Sequence, residues 1–412
     1  MSQITLNTPF ELPNGSRLPN RIAKSAMSEA LGTMDNRATP ELVELYRRWG
    51  QGGTGLIITG NVMIDRKALG EPGNVVIEDD RDLDTLRAWA EAGKSGGGQI
   101  WVQLNHPGRQ CPKGLNQETV APSAVPFNKA MQAYFETPRE LTGDEIKDLI
   151  ARYGRAAEIC YQAGFSGVQI HGAHGYLVSQ FLSPKTNQRA DEWGGSPENR
   201  RRFVLEVLAA MRAATAPDFP IGIKLNSADF QRGGFTEEES LDVMAALADA
   251  GIALIEISGG TYEAPAMTGV RASTREREAY FLDFADQVRA RIPDTPLMVT
   301  GGFRTHAGMS AALESGSLDL CGIARLLAIE PEVSRRLLAG QDPLQRVRPI
   351  KTGIGPVDRM AIMEVTWYTR QLRRIGRGKQ PKPNESGLKA FLCSLVGTAS
   401  GVRQTKRLRA SG

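Results

Sequence analysis

Histidine and cysteine are scarce in this chain, four of each among 412 residues, and aromatic side chains make up only 6%. The cysteines, Cys111, Cys160, Cys321 and Cys393, lie far apart. None of the close pairs that ligate zinc or iron-sulfur clusters occurs, so they read as reduced structural thiols. No apolar stretch reaches the length of a membrane span. The first residues, MSQITLNTPFELPNG, lack the charged, apolar and small-residue regions of a secretory signal, so a cytoplasmic protein is expected. What is present suits a globular chain with a sizeable core: 41% hydrophobic and 23% charged residues.

The formal charge of +4 is unevenly spread, with 15 Lys and Arg against 3 Asp and Glu from residue 345 to the end. Such a run, with Arg370 to Lys382 and Arg403 to Arg409 as its densest parts, reads as a solvated basic tail. Neither nucleic acid nor a membrane span is expected; assembly into a homo-oligomer is left open.

From residue 20 to about 340, short β-rich runs alternate with longer amphipathic stretches, the pattern of parallel strands joined by helices. Eight strands are expected: Arg21 to Met27, Gly55 to Asn61, Gln99 to Leu104, Gly167 to His171, Ile221 to Asn226, Leu254 to Ser258, Leu297 to Thr300 and Leu318 to Ile323. The helices between them include Pro40 to Gly50, Leu83 to Ala92, Gly143 to Gln162, Asn199 to Ala214, Glu237 to Asp249 and Phe281 to Arg291. Eight such units, with no strong Gly-x-Gly-x-x-Gly fingerprint after the first strand, favour a closed α/β TIM (β/α)8 barrel over an open doubly wound sheet. Asn14-Gly15 marks a hairpin that would plug the barrel's N-terminal face. After residue 340 the repeat stops. The expected organisation is a barrel over residues 1–340 and a basic, partly helical C-terminal extension over 341–412. Two long connections, residues 105 to 140 and 259 to 279, follow strand C-termini and read as lids or substrate walls.

Barrel active sites sit at the C-terminal ends of the strands. His171, His174 and Tyr176 directly follow the strand GVQI, and two of the four histidines are here. Two imidazoles can donate hydrogen bonds to a substrate oxygen, and a phenol can act as an acid. The alternatives at this point are satisfied structural histidines and metal ligation. No carboxylate or cysteine stands beside His171-x-x-His174 to complete three zinc ligands, so no metal is expected.

Lys224, on the fifth strand, needs an anionic partner, either an internal carboxylate or a bound cofactor. Thr300-Gly301-Gly302 and Gly322-Ile323-Ala324-Arg325 close the last two strands, where many barrels hold a phosphate. Gln103 can pair with the donor and acceptor edge of a heterocycle, and Ser28 offers a hydroxyl.

Taken in order, NRIAKSAMSEA, GLIITGNVMI, WVQLNHPGR, VQIHGAHGYLVSQFLSPKTNQRADEWGGSPENRRRF, IGIKLN, VTGGF and DLCGIARLLAIEP resemble the Old Yellow Enzyme family of FMN-dependent NAD(P)H oxidoreductases, over about residues 4 to 335. The resemblance implies that Ala26, Met27 and Ser28 pass the flavin edge, Gly60 sits beside the ring and Gln103 pairs with its pyrimidine portion. It implies that Lys224 faces the anionic side of reduced FMN and that the phosphate lies against Gly301, Gly302, Ala324 and Arg325. His171 and His174 would bind the carbonyl or nitro oxygen of an electron-poor alkene, FMN would deliver hydride to its β-carbon, and Tyr176 would protonate the α-carbon. NADH or NADPH would supply the electrons directly, since the cysteine-rich segment and second nucleotide-binding domain of larger relatives are not seen. The alternatives are an FMN barrel with another task, such as nitrate ester reduction, demethylation or oxidase chemistry, and a metal-dependent hydrolase.

Four positions depart from the commonest family pattern. Lys224 stands where arginine is frequent, Ser28 replaces threonine or cysteine, and Glu29 replaces a frequent arginine. Ala324 replaces a glycine, which would be strained if the backbone there took a positive φ.

Overall fold

In the computed structural model, residues 4–264, 281–358 and 362–393 are described. The expected lid over 259 to 279 is therefore seen only to residue 264, and Arg403 to Arg409 lie outside the described residues. In chain order the strands are β1 (Phe10–Glu11), β2 (Arg17–Leu18), β3 (Ile22–Lys24), β4 (Leu56–Met63), β5 (Gln99–Asn105), β6 (Val120–Ala121), β7 (Arg139–Glu140), β8 (Gly167–Gly172), β9 (Ile221–Asn226), β10 (Leu254–Ser258), β11 (Leu297–Thr300) and β12 (Leu320–Ile323). Eight of them close a parallel barrel in the order β3-β4-β5-β8-β9-β10-β11-β12, and β12 pairs back onto β3 through Cys321 opposite Ile22. Parallel neighbours need long crossovers, which the helices supply.

Side chains alternate across each strand, so every second residue enters the barrel. Ala23, Leu56, Ile58, Trp101, Leu254, Met298 and Leu320 form an apolar floor. The Trp101 ring fits because β8 and β9 carry glycine beside it; a Cβ at Gly167 or Gly222 would come within 2.8 Å of the ring. The β1–β2 hairpin closes the floor from below. It turns at Gly15, whose φ of 81° suits glycine, and sends Leu12 and Leu18 into the same cluster.

Helix starts follow their caps. Thr142 with Glu145 and Thr236 with Glu239 form capping boxes, and the helices Gly143–Gln162 and Glu237–Asp249 begin there. The first expected strand is shorter than its apolar run. Ser25 still donates its N–H to Ile323 O at 2.9 Å, but the next residues turn away half-buried at the mouth.

Beyond the barrel, the helix Ile362–Gly376 lies on the helix Pro40–Gln51 so closely that a Cβ at Gly376 would meet Glu41 O at 2.4 Å. Trp367, Leu372 and Ile375 are buried there. Two of the basic residues here are paired: Arg370 with Glu385 and Arg377, just past the helix end, with Glu41, each at 2.9 Å. Among the described residues, no helix is long and apolar enough to cross a membrane.

The plug is open to a direct test. Leu18→Ala removes a fully buried side chain from the floor and is expected to cost about 2–5 kcal/mol, read as a lower urea midpoint; an unchanged midpoint contradicts the packing role.

Candidate active site

The interior changes character one layer above the floor. There Ser25, Gln103, Gln169, Lys224, Glu256 and Thr300 meet, each on a different strand end or interior position. The fully buried Glu256 is the centre. Its carboxylate pairs with Lys224 Nζ at 3.0 Å and accepts from Ser25 Oγ at 2.6 Å, Thr300 Oγ1 at 2.7 Å and Gln169 Nε2 at 2.8 Å. Burial works against its ionisation, but Lys224 and these three donors outweigh it and hold the carboxyl below the usual range. The anionic partner of Lys224 is thus internal. Gln103 joins through Gln169, donating Nε2 to Gln169 Oε1 at 2.8 Å.

The next layer is the histidine cluster. His171 is the next-to-last residue of β8, and its ring lies 5.3 Å from that of His174 and 4.7 Å from that of Tyr176, centroid to centroid. Ala173 N donates to His171 Nδ1 at 3.3 Å, which leaves Nε2 to carry the proton of the neutral ring. His174 takes a left-handed φ of 62°, a strained conformation for a residue with a Cβ. Two contacts hold it: its N–H donates to Asn226 Oδ1 at 3.1 Å, and Nε2 lies 2.8 Å from Ser258 Oγ. Where Ser258 donates, Nδ1–H is the free donor.

Burial pushes His174 down to about 3, with the Lys224 charge adding to the effect. His171 is lowered well below its ordinary value by burial, then by His174 and Lys224. Both rings are therefore neutral donors at physiological pH. Tyr176 is raised well above the usual phenol range by burial and then by Tyr262, whose hydroxyl is 3.0 Å from its own. It stays protonated, as an acid must before it acts.

The remaining expected site residues lie around this centre. Ala26 to Ser28, Thr300 to Gly302 and Ala324 to Arg325 are half-buried stretches at the ends of otherwise buried strands. Thr300 pairs with Gly322, so the two glycine-bearing ends are neighbours. Gly301 and Gly302 have φ of 120° and 97°, a backbone suited to glycine. Ala324 has φ −131°, so the strain considered for alanine there does not arise. Arg325 forms an ion pair with Glu364 of the C-terminal helix at 2.7 Å. The N–H of Gly60 is committed to Glu29 Oε1 at 3.1 Å and Tyr46 OH at 3.0 Å, and a Cβ there would strike Met27 O at 2.4 Å. Glu29 gains its account here: it is buried, bonded to Tyr46 and Gly60, and 3.9 Å from Lys24. The Ser28 hydroxyl donates to Glu71, which burial pushes up to about 7.

An amide, a lysine, two left-handed glycines and half-buried strand ends on one face match the chemistry of FMN: a hydrogen-bonding pyrimidine, an anionic reduced form and a phosphate. Fold and site define a flavin-dependent barrel oxidoreductase. The model of the NADH:flavin oxidoreductase / NADH oxidase family matches residues 5–342, and the chain belongs to that family. Membership brings FMN and NADH as cofactors. The NADH-dependent flavin oxidoreductase iliE of Hypocrea jecorina is 36% identical over 363 residues, 82% of this chain and 90% of that one. Against a longer relative, the iliE protein of Neonectria sp., the chain spans 46% of its length at 36% identity. Among solved structures, the old yellow enzyme homologue from Zymomonas mobilis superposes with a TM-score of 0.70 at 26% identity, covering 84% of this chain and 95% of that one. Morphinone reductase in complex with tetrahydroNAD gives 0.68 at 27% identity, covering 82% and 91%.

Several members of this site were not picked out from the sequence: Glu256, Gln169, Asn226, Ser258 and Tyr262. Each occupies every second position of an expected strand or follows its end, so strand alternation was the available signal.

The low histidine pKa values have a sign that can be checked. A histidine whose pKa is lower folded than unfolded contributes stability that is complete above about 6.5 and is lost as pH falls below it. The imidazole NMR signals of His171 and His174 are expected to show neutral rings from pH 8 down to 5; a midpoint above 6 for either contradicts the buried-donor description.

Proposed function

We propose that this chain is an NAD(P)H-dependent ene-reductase that reduces the activated C=C bond of α,β-unsaturated carbonyl or nitro compounds. The observation that carries this reading is the grouping of two neutral imidazole donors and a protonated phenol, His171, His174 and Tyr176, on one strand end. When bound, FMN supplies the hydride, drawn from NAD(P)H and delivered to the substrate β-carbon. Gln103 would hold its pyrimidine portion and Lys224 its anionic side. Ala26, Met27 and Ser28 would flank its edge and Gly60 the ring. Gly301, Gly302, Ala324 and Arg325 would hold the phosphate, Arg325 exchanging or sharing its contact with Glu364.

His171 and His174 bind the substrate's activating oxygen. As hydride arrives at the β-carbon, negative charge gathers on that oxygen, and preplaced N–H donors stabilise it more than they stabilise the ground state. Neutral rings suit this task. They donate without handing over a proton, which leaves protonation to Tyr176. Its hydroxyl proton goes to the α-carbon, completing the addition of one hydride and one proton across the C=C bond, and solvent then restores the tyrosine.

Tyr176→Phe is expected to slow alkene reduction by about 100-fold or more, the usual scale of general acid catalysis. Flavin reduction by NADH, followed by loss of flavin absorbance, is expected to survive. Equal loss of both half-reactions contradicts the proton-donor role, and a purified protein that neither carries nor takes up FMN contradicts the whole reading.

A further inference from the structure

Lys224 and Gln103 are both assigned to the flavin in the reading above, yet neither acts alone. They are joined through one carboxylate that the reaction itself does not use. Glu256 Oε1 faces Lys224 Nζ at 3.0 Å, and Glu256 Oε2 accepts from Gln169 Nε2 at 2.8 Å. Gln169 Oε1 then accepts from Gln103 Nε2 at 2.8 Å.

We infer that Glu256 is a positioning residue for FMN, setting the amide sense of Gln103 and offsetting the charge of Lys224, and thereby lowering the flavin's reduction potential. The inference rests on the ene-reductase reading of this site.

The first effect follows from donor and acceptor rules. An ionised carboxylate only accepts, so Gln169 must turn its NH2 toward Glu256 and its carbonyl toward Gln103. Gln103 must then spend an N–H on Gln169. Its carbonyl oxygen is left as the acceptor it offers, which is the complement of the flavin's N3–H. Without the carboxylate at the end of the row, both amides are free to reverse, and Gln103 would offer a donor where an acceptor is needed.

The second effect is electrostatic. Reduction of FMN adds negative charge at the pyrimidine side, and a bare buried lysine there would favour the reduced form. Glu256 and Lys224 are partners in register on adjacent strands, both buried, where charges are poorly screened. Their net charge is zero. Lys224 keeps its hydrogen-bonding ability but exerts much less field than an unpaired cation. The hydroxyls of Ser25 and Thr300 hold the carboxylate on the Lys224 side, so the offset is built in rather than incidental.

The test is the midpoint potential of bound FMN, followed by flavin absorbance during graded reduction of the holoenzyme. Glu256→Gln is expected to raise the ratio of affinities for reduced over oxidised FMN at least tenfold, about 30 mV for a two-electron couple. An unchanged or lower ratio overturns the inference. Because an unpaired buried lysine can prevent folding, the double variant Lys224→Met/Glu256→Gln provides a second arm with no unpaired charge. Its ratio is expected to fall by less than tenfold, for loss of the Lys224 hydrogen bond alone; a larger fall, as for loss of an uncompensated cation, overturns the offset. Gln169→Leu tests the relay separately. It is expected to weaken binding of oxidised FMN to the apoprotein at least fivefold by fluorescence titration, and unchanged binding overturns the amide role. Wild-type protein that binds no FMN contradicts the functional reading itself, whereas FMN binding with unaltered potentials contradicts only the role of Glu256.

Discussion

Closure of the barrel is the constraint on which the site depends. Once β12 pairs with β3, every parallel strand must end on the same rim, and residues from β3, β5, β8, β9, β10, β11 and β12 converge there. Closure also forces alternate side chains of eight strands into one narrow interior. The chain fills it in layers: an apolar floor around Trp101, a polar layer around Glu256, and the histidine and tyrosine cluster above.

The middle layer is the unusual one energetically. Buried charge is tolerated only when paired and hydrogen-bonded. Glu256 meets both conditions through Lys224, Ser25, Thr300 and Gln169, so an interior that would be hostile to ions becomes a rigid platform. The layer above uses the same buried setting to opposite effect. His171 and His174 lose their charge, with Lys224 adding to that pressure, and Tyr176 keeps its proton. Burial makes two neutral donors of the histidines, helped by the Lys224 charge, and one acid of Tyr176, helped by Tyr262.

Much of this was readable in advance, and the parts that were not have physical reasons. The strands Ile221 to Asn226, Leu254 to Ser258 and Leu297 to Thr300 match their runs because glycine, proline or polar turns bound both ends. The position of His171 just past GVQI followed from strand direction. The central role of Glu256 did not, because LIEIS reads simply as a buried strand, and only ring closure brings Ser25 and Thr300 to its carboxylate. Likewise the contact of Arg325 with Glu364 joins a residue just past the last barrel strand to the C-terminal helix, whose docking no local pattern encodes. The left-handed backbone of His174 was hidden for the same reason: it depends on Asn226 and Ser258 from two other strands.

The central claim is that hydride and proton reach the two alkene carbons from different sources. Reduction of 2-methylcyclohexenone with NADH carrying deuterium at the transferred position tests it in one product analysis. The account requires deuterium at the β-carbon and a solvent-derived proton at the α-carbon, with the labels exchanged when unlabelled NADH is used in D2O. A product labelled at the α-carbon from NADH, or no reduction by a flavin-loaded protein, would contradict it.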